Sequence, residues 1–211
     1  MILILAAHSD DEVLGCGGTI AKYADEGEDV VSIIFSEGDP INPKNYTKEN
    51  KNIAIQRRKE SIAAGKVLGI NDTVFLGLSH NPFMSNEDLA HINKRISKII
   101  IKLKPRIIFT HVPDDPHPGH AMVAKLAKKI ADKHDISLYT FMISNPLKIQ
   151  YRDKPRLYVD ITDTINKKRK ALKQFKSQEH WLIYYKIIAY FMDKISGLQS
   201  NHSYAEVFYK W

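Results

Sequence analysis

The chain has 211 residues, of which 44% are hydrophobic and 26% charged, with a formal net charge of +7. That length and balance describe one globular domain, residues 1–211, and exclude a disordered or fibrous chain. A lone cysteine, Cys16, excludes an intramolecular disulfide framework and fits a reducing compartment, so a cytoplasmic location is expected.

In chain order, Ile2 to Ala7 reads as a strand, and it leads into "HSDDE" and a helix over Leu14 to Asp25. "MILILAA" has no basic flank and is cut off by charge, which argues against a signal peptide. Asp29 to Phe35 is a second strand, followed by a polar loop. A helix is expected from Lys51 to Leu68, stopped by Gly69, then a short strand in "TVFLGL". A helix from Asn86 to Lys102 precedes the strand "RIIFTH", and another runs from near Gly119 to Lys133. "ISLYTFMI" and "RLYVDI" are later strands, and Thr164 to Lys176 is a helix. "WLIYYKIIAYFMDKI", Trp181 to Ile195, is apolar on nearly every face. It is too short to span a bilayer, so it is buried in the monomer or packs on a second copy, making a homo-oligomer. The alternation predicts an α/β fold with a mostly parallel, Rossmann-like sheet and helices on both faces.

Ligands of such sheets bind outside the carboxyl ends of the strands. Two polar clusters fall there: His8 to Glu12 after the first strand, and "VPDDPHPGH" after "RIIFTH". His8 and Asp11, three apart in a turn, are an imidazole and a carboxylate suited to Zn²⁺. His117 and His120 are also three apart, and Pro118 is a favoured first-turn residue, so both can face the same cleft. Three protein ligands with a position left for water make a catalytic rather than a structural zinc site. Taken singly, each cluster has an ordinary explanation: Asp10 and Asp11 as helix caps, His117 as a solvated loop residue. Their joint occurrence after strand ends favours a site. "LGCGGT" does not fit a dinucleotide-binding turn, and its glycines are expected to allow close helix packing. His111 and His80 are candidates for the rim or the surroundings of the cleft.

"AAHSDDEVLGCGGTIA" together with "HPGHAMVA" resembles the PIG-L/LmbE-like de-N-acetylase family. "RRKESIAAGKVLGI", "VDITDTINKKRKALKQFKSQ" and "SYAEVF" extend the resemblance over nearly the whole chain. It implies that His8, Asp11 and His120 hold Zn²⁺ (or Fe²⁺), that Asp10 is the general base and that His117 stabilises the transition state. Arg57 matches a substrate-binding position; its ordinary explanation is an ion pair with Glu60 one turn away. The implied activity is removal of the N-acetyl group from an N-acetylglucosamine-type conjugate. Where the family often has His-Pro-Asp-His, this chain has Gly119, so the histidine needs another carboxylate, Asp114 or Asp115. "LSHN" also departs from the family's Asp-Gly, which leaves the sugar contacts open.

From Tyr151 onward there are 12 Lys+Arg against 6 Asp+Glu, so +6 of the +7 lies in the last 61 residues. "KKRKALKQFK" reads as a solvated helix face, and no nucleic-acid signature accompanies it. An anionic amino-sugar conjugate is the expected partner. The competing readings are a thiol-conjugate amidase, a non-catalytic sugar- or nucleotide-binding module, and a phosphoesterase, which would want a richer two-metal ligand set.

Overall fold

The computed structural model describes residues 1–37, 48–78, 86–143 and 155–211. Seven strands form one sheet in the order β3-β2-β1-β4-β5-β7-β6. The strands are β1 (Ile2–His8), β2 (Val30–Ser36), β3 (Asp72–Phe75), β4 (Ile107–His111), β5 (Ser137–Phe141), β6 (Arg156–Asp160) and β7 (Ala205–Lys210). The first five pair in parallel. β7 runs antiparallel to both β5 and β6. The sheet is therefore mostly parallel, as the alternating pattern predicts, with an antiparallel edge. β7 coincides with the "AEVFYK" part of the closing segment and was not expected as a strand.

The helices are α1 (Asp11–Asp25), α2 (Lys48–Leu68), α3 (Asn86–Leu103), α4 (Pro118–His134), α5 (Ile165–Leu172) and α6 (Glu179–Gln199), with a 3-10 turn at Lys176–Gln178. β1 shows why both faces are covered. Ile2 and Ile4 point into a core shared with α1, α2 and α5, whereas Leu3, Leu5 and Ala7 point into a second core with α3 and α4. That alternation is the side-chain period of two, and a strand buried on both faces must be apolar throughout.

Two boundaries differ from the sequence reading. α1 starts at Asp11 rather than Leu14, because the carbonyl of Asp10 accepts hydrogen bonds from the Val13 and Leu14 amides. α5 ends at Leu172, and the chain to Lys176 leaves the helix before the 3-10 turn. The glycines of α1 do allow close packing. A Cβ on Gly15 would stand 2.3 Å from the Phe141 ring, and one on Gly18 2.7 Å from Ile161. α6 is not buried all round, since Leu182 is buried while Trp181 is 83% exposed.

β1 and β4 are neighbours, and the chain winds outward from them in both directions. Strand order reverses there, which is where an open α/β sheet forms its ligand crevice. His8 ends β1 and His111 ends β4.

Candidate metal centre

Among the described residues, four imidazoles meet the carboxylates of Asp10, Asp11 and Asp115 in that crevice. One oxygen, Asp11 Oδ2, is the hub. It lies 3.2 Å from His8 Nδ1, 3.3 Å from His120 Nε2 and 3.3 Å from His111 Nε2. It also accepts a hydrogen bond from the backbone amide of His8 at 2.8 Å. The i,i+3 spacing that brings Asp11 back over His8 follows from the turn at Asp10, whose φ of 108° is left-handed. Such a backbone is strained for a non-glycine residue and clusters at functional positions. The side chain of Asp10 makes no capping hydrogen bond to α1, so simple helix capping does not account for it.

His120 is held in one orientation. Its Nδ1 lies 3.1 Å from Asp115 Oδ1, and this carboxylate oxygen also accepts the His117 amide at 2.8 Å. Asp115, not Asp114, is therefore the carboxylate that stands in for the one missing at position 119. A histidine that donates from one nitrogen to a carboxylate presents the lone pair of the other to a cation. His117 begins α4, and its Nδ1 accepts the Gly119 amide at 3.2 Å. That bond leaves Nε2 as the protonated nitrogen. A Cβ at position 119 would stand 3.2 Å from His117 Nδ1 and 3.4 Å from His8 Cε1, so glycine there gives both rings room.

The electrostatics match a place for a positive ion. Burial works against charge on His120, yet Asp11 and Asp115 raise its pKa to about 10. Burial would push Asp11 up, but the charge on His120 holds it well below the usual carboxylate range. Burial and the neighbouring His120 charge lower His111 to about 4, keeping it neutral. Its Nε2 accepts the Ala7 amide at 3.0 Å, and its ring stacks on His120 with centroids 4.1 Å apart. Asp10 is pushed well above its ordinary value by burial and by Asp11 and Glu12. Glu12 is pushed up to about 8, mainly by burial.

Among the described residues, two sets of donor atoms each lie within 4.8 Å of one another: His8, His117 and His120, and Asp11, His111 and His120. His120 is common to both. Imidazole nitrogens and a carboxylate oxygen, braced by a second carboxylate, fit a divalent metal ion. His8, Asp10, Asp11, His117 and His120 are therefore neighbours in the crevice, although neither of those two sets combines His8, Asp11 and His120. Arg57 lies close enough to influence Asp10, and its Nη1 donates to the Glu37 carbonyl at 2.9 Å. Glu60, one turn away, accepts from the amide and hydroxyl of Ser177 and from the Gln56 side-chain amide. His80 and the rest of "SHN" lie outside the described residues.

Some contributors escaped the sequence reading. Gln178 donates to the Ser9 carbonyl at 3.2 Å, tying the start of α6 to the loop that carries Asp10. Burial and the carboxylates of Asp115, Asp10 and Asp11 raise the Tyr185 phenol, which places this turn of α6 at the mouth of the crevice. The signal for Gln178 was the "KSQ" ending of a recognised segment, which carries no spacing toward residue 9, and Tyr185 lay unmarked within the apolar run Trp181 to Ile195.

Comparison with known proteins agrees with this geometry. The model of the PIG-L family, described as GlcNAc-PI de-N-acetylase, matches residues 3–131. The chain is 27% identical to the diacetylchitobiose deacetylase of Thermococcus kodakarensis, with 97% of this chain and 80% of that protein covered. It is 25% identical to the 4-oxalmesaconate hydratase of Pseudomonas putida, over 89% of this chain and 77% of that protein. The fold superposes on N,N'-diacetylchitobiose deacetylase from Pyrococcus horikoshii with a TM-score of 0.77 and 22% identity, covering 100% of this chain and 83% of the other.

Proposed function

The chain belongs to the PIG-L family of GlcNAc-PI de-N-acetylases, and from that premise we propose that residues 1–211 form one metal-dependent amidohydrolase domain. Its reaction is removal of the N-acetyl group from an N-acetylglucosamine-type conjugate, giving acetate and the free amine. The observation that carries this reading is the approach of His8 and His120 to a single oxygen of Asp11, with His120 braced by Asp115. His8, Asp11 and His120 would hold Zn²⁺, or Fe²⁺ in its place. When bound, such an ion would supply Lewis-acid chemistry, lowering the pKa of water toward neutrality and drawing electron density from an amide carbonyl.

The rest belongs to the chain's own side chains. Asp10 stands beside Asp11 without being needed as a ligand. As a carboxylate, Asp10 accepts a proton from the attacking water. The same oxygen then delivers that proton to the departing amine nitrogen. His117, protonated at Nε2 because Nδ1 is occupied by the Gly119 amide, donates to the amide oxygen as negative charge builds there. A neutral imidazole suffices for this, so His117 does not need to be an imidazolium. Arg57 faces the same side as Asp10 and is assigned to the substrate.

The relative named as a hydratase sets a second reading, because water activation serves addition to a double bond as well as attack on an amide. One assay separates the two. Acetate release is measured on N-acetylglucosamine conjugates carrying lipid-phosphate, nucleotide-diphosphate, thiol-pathway or oligosaccharide groups, and water addition is measured on 4-oxalmesaconate. The deacetylase reading predicts acetate from at least one conjugate, with an anionic one preferred, and no hydration. Hydration without acetate release would overturn it.

A further inference from the structure

Among the described residues, seven of the ten exposed large hydrophobic side chains lie on α6. Trp181, Tyr184, Ile187, Phe191 and Leu198 follow one another at spacings of three, three, four and seven, which puts them on one side of a helix. Trp181 is 83% exposed and Phe191 62%. A continuous apolar face of this kind on an otherwise ordinary surface marks a place where something docks. The helix is not long and apolar enough to cross a membrane.

Cations border that face. Arg169 lies over the Tyr190 ring, 4.4 Å from its centroid, and Lys194 over the Tyr204 ring at 4.7 Å. Between α5 and α6 is a pocket of about 240 Å³, with Ile165 and Leu172 in its wall and Arg169, Lys173 and Lys186 among its lining. The acidic residues of α6 are Glu179 and Asp193, and Asp193 is buried against Lys168 at 2.8 Å. The surface is apolar along its middle and positive at its edge.

That charge decides between occupants. Two copies meeting through this face about a twofold axis would bring two net-positive surfaces together, since such an interface uses the same patch twice. An anionic lipid surface satisfies both parts, accepting apolar and aromatic side chains at the acyl boundary and cations at the headgroups. Tryptophan and tyrosine favour that boundary layer. We propose that α6, with the pocket it forms against α5, docks this protein in the plane of an anionic lipid bilayer. Because Gln178 ties the start of α6 to Ser9, the docked protein holds its crevice beside the headgroups. The inference rests on the surface of α6 and not on the chemistry assigned to the crevice.

The test uses the full chain and vesicles without substrate. The protein has two tryptophans, Trp181 and Trp211, so a Trp211→Phe background lets Trp181 report alone. Binding is followed by co-sedimentation with vesicles of phosphatidylcholine alone or mixed with phosphatidylglycerol. The expected result is binding to the mixed vesicles with a blue shift of Trp181 emission. Binding should weaken between 0.1 M and 1 M salt, where the Debye length falls from about 10 Å to about 3 Å. The pair Ile187→Ser and Phe191→Ser should lower affinity about tenfold or more, and so should the pair Lys173→Glu and Lys186→Glu. No binding to either vesicle type overturns the proposal. So does a stable dimer in light scattering that already shields Trp181 without vesicles. Binding of the folded parent that neither pair of substitutions weakens would show that another surface is responsible.

Discussion

Asp10 and Asp11 are adjacent in sequence and opposite in electrostatic state. Asp11 is held ionised by His120, whereas burial and its acidic neighbours push Asp10 toward its neutral form. If both were helix caps, asparagine would replace either with little effect, because it caps as well as aspartate. The geometry predicts otherwise. Asp11→Asn removes the hub oxygen's charge, so metal affinity and turnover should fall together. Asp10→Asn should stay metal-loaded while turnover drops about 10²–10⁴-fold, the usual worth of a positioned proton carrier. A metal-replete Asp10→Asn protein within about threefold of the parent would refute the role assigned to it. His120 yields a pH prediction. In the metal-free protein its pKa is raised to about 10, so below that pH a proton occupies the nitrogen that a metal requires. Metal binding near pH 8 should therefore release at least one proton, and affinity should rise about tenfold per pH unit until that proton is gone. Titration calorimetry in buffers of different ionisation enthalpy measures the release, and a value of zero would mean that His120 is not a ligand.

At the scale of elements, α1 is two helical pieces joined at Cys16, whose φ of −149° is not helical. The break frees the Gly18 and Thr19 amides, which donate to Glu206 on β7 at 2.9 and 2.7 Å. Glu206 in turn lies 2.7 Å from Lys168 Nζ, which also reaches Asp193. All three charged groups are buried. This staple fixes the helix that carries Asp11 to α5, α6 and β7. It also gives a physical reason for Glu206 in "SYAEVF" and Lys168 in "NKKRK", residues that sequence alone marked only by resemblance. Lys168→Met leaves two buried carboxylates without their cation and should cost about 3–5 kcal/mol. The loss should deepen as pH rises, because a carboxylate stranded in the core has a raised pKa that the unfolded chain does not share. Urea denaturation measures it, and a change under about 0.5 kcal/mol would contradict the staple. Most of the elements were legible beforehand, since strands buried on both faces and helices with capping and stop residues announce themselves. The kink in α1 and strand β7 were not. Each depends on the other across some 190 positions, and no local pattern encodes that pairing. The exposure of α6 was equally hidden, because an all-round apolar helix reads alike whether it is covered or not.

Over the whole molecule, the site exists because the strand order reverses between β1 and β4, opening a crevice that no single segment contains. His8 and Asp11 arrive from one strand end, and His111, Asp115, His117 and His120 from the other. Strand-end position made the convergence of the two clusters readable in sequence. The bracing of His120 by Asp115 and the stacking of His111 became visible only with the fold, because both depend on how the β4–α4 turn bends back. The proposed reaction requires a divalent ion held by His8, Asp11 and His120. Its most direct test is acetate release from a reactive N-acetylglucosamine conjugate, using chelator-stripped protein titrated with Zn²⁺. The prediction is no turnover without metal and a rise that saturates near one equivalent per chain, the stoichiometry of a single catalytic site. Full turnover in the stripped protein would contradict the account.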